Sequence, residues 1–306
     1  MNFRGVLPAM TTAFDKDFNV DHRFVARHAQ WLVENGCNGV VCLGSLGESS
    51  TLRFDEKVKI LDTVVKALDG QAPVVAAISA LSTTEAVELA VSAYKAGCAG
   101  LMILPPYVYK GDWRENKAHV AAILKATPLD SMLYNNPVAY GVDYLPHQIA
   151  ELAEEFPHLT AVKESSTDVR RLTAIRALVG ERLELCVGVD DAIVEGIAAG
   201  AVGWVAGLVN AFPRESVDLF ELASAGKTQQ AFELYRWFLP LLRMDTVPKF
   251  IQLIKQVQQE VGIGTARVRT PRLEVTGEEL AATQATVAFA ETHRPAALRT
   301  SSSFML

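Results

Sequence analysis

Eight short apolar runs, each followed by an amphipathic segment, recur through the first 225 residues of this chain, and that alternation limits its fold more than any other feature. The runs lie at 6–13, 39–43, 73–79, 100–104, 131–134, 159–163, 184–188 and 202–206. Most are continuously apolar, the pattern of parallel strands covered on both faces. Parallel neighbours need a crossover between them, and the intervening segments have helical spacing. Asp21 opens one that Gly36 closes. Asp55 opens a second, with Val58, Leu61, Val65 and Leu68 at helical intervals before Gly70, and Thr83 or Thr84 opens a third, closed by Gly97. Further helices are predicted over 112–125, 143–155, 168–179, 190–199 and 213–225. Eight βα units is the number that closes into a barrel. The predicted fold is therefore α/β, a (β/α)8 TIM barrel over 1–225, with a doubly wound open sheet as the alternative. Residues 226–294 read as a three-helix C-terminal appendage, with turns near Gly226, Pro240 to Asp245, and Gly262 to Pro271. The Ser-rich stretch 295–306 reads as a mobile tail.

Composition removes several function classes. With 50% apolar and 21% charged residues the chain can bury a large core, which excludes wholesale disorder. A net charge of -6 does not suit a nucleic-acid backbone or an anionic membrane. No apolar run approaches the ~18 residues of a membrane span, and the N-terminus lacks a signal-peptide core, so a cytoplasmic location is expected. Cys37, Cys42, Cys98 and Cys186 form no Cys-x-x-Cys pair and read as reduced, buried thiols. The six histidines show no ligand spacing and read as surface or capping residues, so no metal is expected. Nucleotide-cradling glycine motifs are absent as well.

In such a barrel the active site lies at the C-terminal ends of the strands. There the chain offers hydroxyls and amides in plenty, and one lysine, Lys163, at the end of Leu159-Thr160-Ala161-Val162. An amine pointing into a partly dry barrel has its ammonium form disfavoured, and a neutral amine adds to a carbonyl or imine carbon to give a Schiff base. The competing reading is a buried lysine paired with Glu164 for structure. Tyr134 ends the neighbouring strand and could move protons there. The turn Gly44-Ser45-Leu46-Gly47 offers amides and a hydroxyl suited to a carboxylate. Glu48 reads as a loop-fixing or helix-start residue, and Asp190-Asp191 as a helix cap.

Taken together, Gly44-Ser45-Leu46-Gly47-Glu48, Tyr134-Asn135-Asn136-Pro137 and Val162-Lys163-Glu164-Ser165 resemble the dihydrodipicolinate synthase / N-acetylneuraminate lyase family of Schiff-base barrels, over residues 3–293. The resemblance implies that Lys163 is the Schiff-base lysine and Tyr134 the proton-transfer phenol. It implies that Ser45, with the Ser45 and Leu46 amides, holds the carboxylate of a 2-oxo acid, and that Gly44 and Val205 complete the substrate-binding set. A homotetramer, a small 2-oxo or 2-imino acid substrate and no cofactor or metal are implied in the same way.

Three departures from dihydrodipicolinate synthase stand out. Leu46 replaces the second threonine of the Gly-rich turn. Val108, with Tyr109 next to it, aligns with a tyrosine that crosses the subunit interface. Ala139 aligns with an arginine that grips a carboxylate. Leucine and valine are expected to break a three-hydroxyl proton relay, and the missing arginine is expected to suit a substrate with a single carboxylate. Leu133-Tyr134-Asn135-Asn136-Pro137, Gly188-Val189-Asp190-Asp191, Gly203-Trp204-Val205-Ala206-Gly207-Leu208 and Tyr235-Arg236-Trp237-Phe238 resemble the bacterial Δ1-pyrroline-4-hydroxy-2-carboxylate deaminases of hydroxyproline catabolism. The alternatives are an aldolase or dehydratase of 2-keto-3-deoxy sugar acids or N-acetylneuraminate, dihydrodipicolinate synthase itself, and a non-catalytic ligand-binding barrel. The lining around Ala139-Tyr140-Gly141-Val142 and Gly207-Leu208-Val209, read as mostly apolar, disfavours long polyol substrates.

Overall fold

A ring of eight parallel strands forms the centre of the computed structural model, which describes residues 1–295 and Phe304. The strands are β1 (Gly5–Pro8), β2 (Val40–Cys42), β3 (Val74–Ile78), β4 (Gly100–Ile103), β5 (Asp130–Asn135), β6 (Leu159–Glu164), β7 (Glu184–Val187) and β8 (Gly203–Ala206). They pair in the order β1-β8-β7-β6-β5-β4-β3-β2. The seam closes just beyond β1, where Ala9 bridges Val41 in parallel and the Met10 N–H donates to the Val41 carbonyl at 2.9 Å. That seam excludes the open sheet, and the fold is a (β/α)8 TIM barrel. Every residue of β2, β3, β4 and β8 is buried, which is why these strands read as unbroken apolar runs.

The crossovers are α1 (His22–Glu34), α2 (Phe54–Leu68), α3 (Thr83–Ala96), α4 (Trp113–Ala126), α5 (Pro137–Tyr140), α6 (Pro146–Glu155), α7 (Arg170–Val179), α8 (Ile193–Ala198) and α9 (Pro213–Ser224). Asp21 caps α1 as predicted, its carboxylate accepting from the Phe24 N–H at 3.0 Å. Thr83 opens α3 as expected, with Ser82 capping it through the Glu85 N–H. The start of α2 differs: Asp55 lies inside the helix, where Glu56 reaches back to the Arg53 N–H. The single turn α5 has no counterpart among the predicted helices. Asn136 caps it, Pro137 opens it, and Gly141, at φ +69°, ends it.

Three helices follow the barrel: α10 (Thr228–Leu242), α11 (Phe250–Glu260) and α12 (Gly277–Thr292). Pro240 sits inside α10, so the chain turns later than expected, in a 3₁₀ turn over Arg243–Thr246. From α11, Lys255 enters the core and donates to Glu48 Oε1 at 2.8 Å and to the Thr12 carbonyl at 2.9 Å. Phe304 packs on Phe24 and Trp31, at 5.2 and 5.5 Å between ring centroids. The rest of the expected tail beyond Pro295 lies outside the described residues.

The expectation that every histidine is a surface or capping residue is not met. His28 is wholly buried and donates from Nε2 to the Asn210 carbonyl at 3.0 Å, and burial lowers its pKa to about 4. His119 is buried against Thr83, with its pKa lowered by the same cause. All four cysteines are buried and free, as read from the sequence.

Candidate active site

The pairing of β5 with β6 sets Tyr134 directly opposite Lys163. Neighbours in register share a face of the sheet, and the Lys163 Nζ lies 4.2 Å from the centroid of the Tyr134 ring. Lys163 is 5% exposed and makes no hydrogen bond or ion pair among the described residues. The next residue shows why. Alternation along β6 sends Glu164 to the opposite face, where its carboxylate accepts from Asn135 Nδ2 at 3.0 Å and from the Ser166 N–H at 2.6 Å. The structural pairing of Lys163 with Glu164 is therefore ruled out. The lysine stem lies across the end of β7. A Cβ at Gly188 would sit 2.4 Å from Lys163 Cε and 2.1 Å from Ser165 Oγ, so no larger residue fits. Ser165 Oγ and Ser79 Oγ, both at strand ends, are buried hydroxyls with no partner among the described residues.

Beyond β2 the turn is held in a costly shape. Leu43 and Glu48 both adopt left-handed backbone, at φ 65° and 55°. What fixes it is the Glu48 carboxylate, wholly buried, which accepts from Lys255 and from the Arg269 N–H at 2.9 Å. Glu48 is thus a loop-fixing residue, as expected. The Ser45 and Leu46 amides donate to no acceptor among the described residues. The Leu46 side chain is buried in the core, and so is Val205 in β8, so both can offer a ligand only backbone groups. Gly44 lines the turn near Met102, with a Cβ there 3.8 Å from Cε.

Ser45 Oγ hydrogen-bonds to the Tyr140 hydroxyl. The Tyr140 ring meets the Tyr134 and Tyr107 rings edge-on, each at 5.7 Å between centroids. Burial, with the two tyrosines beside it, pushes the Tyr140 phenol well above its ordinary pKa. Asn136 Nδ2 donates to the Tyr134 hydroxyl at 3.0 Å. Two expectations are corrected here. The segment around Tyr140 is not an apolar lining, and Leu46 and Val108 do not leave the site short of hydroxyls. The sequence held a signal for this: Asn-Pro followed by Gly141 encodes one helical turn, which swings Tyr140 back over Tyr134.

On the β7–β8 side the site is acidic. Asp190 is not a helix cap. It is buried and accepts from Trp204 Nε1 at 3.0 Å, from the Gly207 N–H at 3.1 Å and from the Leu208 N–H at 2.8 Å, tying the two strand ends together. Burial raises its pKa to about 6 despite those donors. Asp245, in the 3₁₀ turn after α10, leans over Gly207, where a Cβ would lie 2.0 Å from its Oδ1. Burial and the neighbouring Asp190 push the Asp245 carboxyl well up. The sequence predicted only a turn at Asp245, because nothing local shows that the turn folds back onto the barrel.

The loops after β4 and β5 correct a third expectation. Lys110 lies against Gly141, two residues past Ala139, with Nζ 2.5 Å from where a Cβ would be. A cation from the loop after β4 thus lies against the segment that lacks the arginine, so Ala139 alone does not imply a single-carboxylate substrate. Val108 is 89% exposed with φ at +59°, and Tyr109 donates to Glu115 Oε1 at 2.9 Å.

A lysine without a charge partner among the described residues, buried under a phenol at the mouth of a (β/α)8 barrel, is suited to Schiff-base chemistry. The model of the dihydrodipicolinate synthetase family matches residues 2–290, and the chain belongs to that family of Schiff-base lyases. Similar proteins include the 4-hydroxy-tetrahydrodipicolinate synthases of Desulforamulus reducens, 29% identical over 92% of this chain and 95% of that one, and of Rhizobium meliloti, 31% identical over 89% and 92%. Among solved structures, the 4-hydroxy-tetrahydrodipicolinate synthase of Methylacidiphilum fumariolicum superposes with a TM-score of 0.92 at 25% identity, over 95% of this chain and 97% of that one. A dihydrodipicolinate synthase from Bacillus anthracis gives 0.90 at 27%, over 94% and 98%.

Proposed function

We propose that this enzyme deaminates Δ1-pyrroline-4-hydroxy-2-carboxylate to 2,5-dioxopentanoate and ammonia. The observation that carries the reading is the polarity of the mouth about Lys163. Hydroxyls and unused amides gather on the β2–β5 side, at Ser45, Leu46, Tyr134 and Tyr140, and carboxyls on the β7–β8 side, at Asp190 and Asp245. Such a site favours a small acid with its carboxylate at the hydroxyl end and nitrogen at the other, since the Asp190 carboxylate disfavours a second carboxylate on the β7–β8 side.

In this reading Ser45 and the turn amides hold the C2 carboxylate. Lys163 adds to the C2 imine carbon and the ring opens by transimination, freeing the C5 amine. The iminium then draws electrons from the C3–H bond, the C4 hydroxyl leaves as water, and tautomerisation carries the unsaturation to a C5 imine. Two waters hydrolyse the C5 imine and the lysine adduct, so one water is consumed overall. Tyr134, with Tyr140 and Ser45 beside it, moves the protons. Assembly into a homotetramer belongs to the same proposal, supported by the exposed apolar side chains Leu81, Val108, Tyr109 and Val138 in the segments that follow β3, β4 and β5. So does a cytoplasmic location, and no helix among the described residues is long and apolar enough to cross a membrane.

The names of the relatives favour a second reading, 4-hydroxy-tetrahydrodipicolinate synthesis, and Tyr140 restores a hydroxyl that this route was expected to lack. A substrate panel decides between them. Ammonia release from the hydroxypyrroline carboxylate, without pyruvate consumption, is the expected result. Pyruvate consumed with an amino-aldehyde co-substrate and no ammonia release would support the synthase, and pyruvate released from 2-keto-3-deoxy acids would support an aldolase.

A further inference from the structure

We propose that Asp245 is the general acid that protonates the departing hydroxyl, a role that rests on the deaminase reading above. The carboxyl reaches the mouth from the C-terminal extension, not from a barrel strand, and the barrel is shaped to admit it. Gly207 at the end of β8 leaves the space that the Asp245 carboxylate fills, just as Gly188 at the end of β7 leaves the space for the Lys163 stem. Those two adjacent strand ends bring the acid and the amine to the same corner of the mouth.

What faces Asp245 fixes its protonation state. Asp190 and Asp191 face it from the β7 loop and Lys163 from β6, and Arg243 on its own turn is engaged 3.6 Å from Asp191. Asp190 has three N–H donors that stabilise its anion, whereas Asp245 makes no hydrogen bond among the described residues. Two neighbouring carboxyls with one set of donors do not both ionise, so the proton stays on the one without donors. Asp245 is then a neutral acid beside the reacting chain. When the C3–H electron pair moves into the C3–C4 bond, the C4–O bond breaks, and its pair leaves on oxygen with the Asp245 proton as water. The Asp245 carboxylate regains its proton from water in the mouth after release.

The test compares wild type, Asp245→Asn and Asp245→Glu, by ammonia release from the hydroxypyrroline carboxylate across pH and by borohydride trapping of pyruvate on the lysine. Asp245→Asn is expected to lose about 10²–10⁴-fold in kcat, to lose the fall in rate at alkaline pH, and still to give the trapped adduct, which shows that barrel and lysine are intact. Asp245→Glu is expected to recover part of the rate. An active wild type with Asp245→Asn within twofold of it, or with the alkaline limb unchanged, overturns the role of Asp245 alone. A wild type that traps pyruvate but releases no ammonia overturns the deaminase reading and this role with it.

Discussion

Lys163 and Lys255 are both buried in this barrel, at 5% and 1% exposure, and each lies over an aromatic ring, Tyr134 at 4.2 Å and Phe14 at 4.5 Å. Their polar surroundings differ. Lys255 has Glu48 and the Thr12 carbonyl within hydrogen-bond distance, whereas Lys163 has no acceptor among the described residues. Desolvation pulls the Lys255 pKa down and Glu48 opposes it. The Lys255 pair has a structural result: it clamps α11 to the barrel and holds the left-handed turn that carries Ser45. An amine with no partner is free to bond to a substrate carbon. Burial alone therefore does not distinguish the two lysines; the absence of a partner among the described residues does.

Exchanging the two lysines for neutral residues should separate these roles. Lys163→Ala is expected to remove at least ~10³-fold of turnover, with little change in urea denaturation. Lys255→Met takes away the closest charge partner of buried Glu48, leaving it the Arg269 N–H at 2.9 Å and Arg272 at 3.9 Å, and a loss of about 3 kcal/mol is expected, read as a lower urea midpoint. If Lys255→Met were as stable as wild type, the clamp would carry no weight.

A smaller effect tests the hydroxyl cluster. Tyr140→Phe keeps the ring contacts with Tyr134 and Tyr107 but removes the partner of Ser45. Turnover is expected to fall about 10-fold, below the usual span for a primary acid or base, with KM raised and the pyruvate adduct still formed. Unchanged kinetics would show Tyr140 to be packing only.

The smallest effect is one of pH. Asp190, near Lys163, has its pKa raised from 3.8 to about 6, so the native state binds its proton more tightly and stability falls as pH rises through that window. His28 faces α11 through Gln258, and its pKa is lowered from 6.5 to about 4. Its contribution is lost as pH falls from 6.5 toward 4, which gives the opposite slope. The two offset one another, each on the order of 1–3 kcal/mol. Asp190→Asn should expose the His28 slope, seen as urea midpoints that climb more steeply between pH 4 and 6.

The barrel was legible in the sequence because parallel strands covered on both faces leave unbroken apolar runs, and eight of them count the ring. Lys163 and Tyr134 were legible for the same reason, as polar ends on such runs. Tyr140 was missed because one helical turn is too short to show periodicity, although Asn136, Pro137 and Gly141 spell out its cap, start and stop. Asp245 and the Asp190 bonds could not be read at all. The Asp245 approach depends on the turn after α10 folding back over Gly207, 38 positions earlier, and the Asp190 bonds depend on β7 and β8 lying side by side, with partners 14 to 18 positions on; no local pattern encodes either.

The most direct test of the central claim is to incubate the enzyme with pyruvate, reduce with borohydride, and map the modified peptide by mass spectrometry. A single adduct on Lys163 is predicted, absent in Lys163→Ala. An adduct on Lys255 or Lys110 instead, or an unmodified protein, would contradict the account.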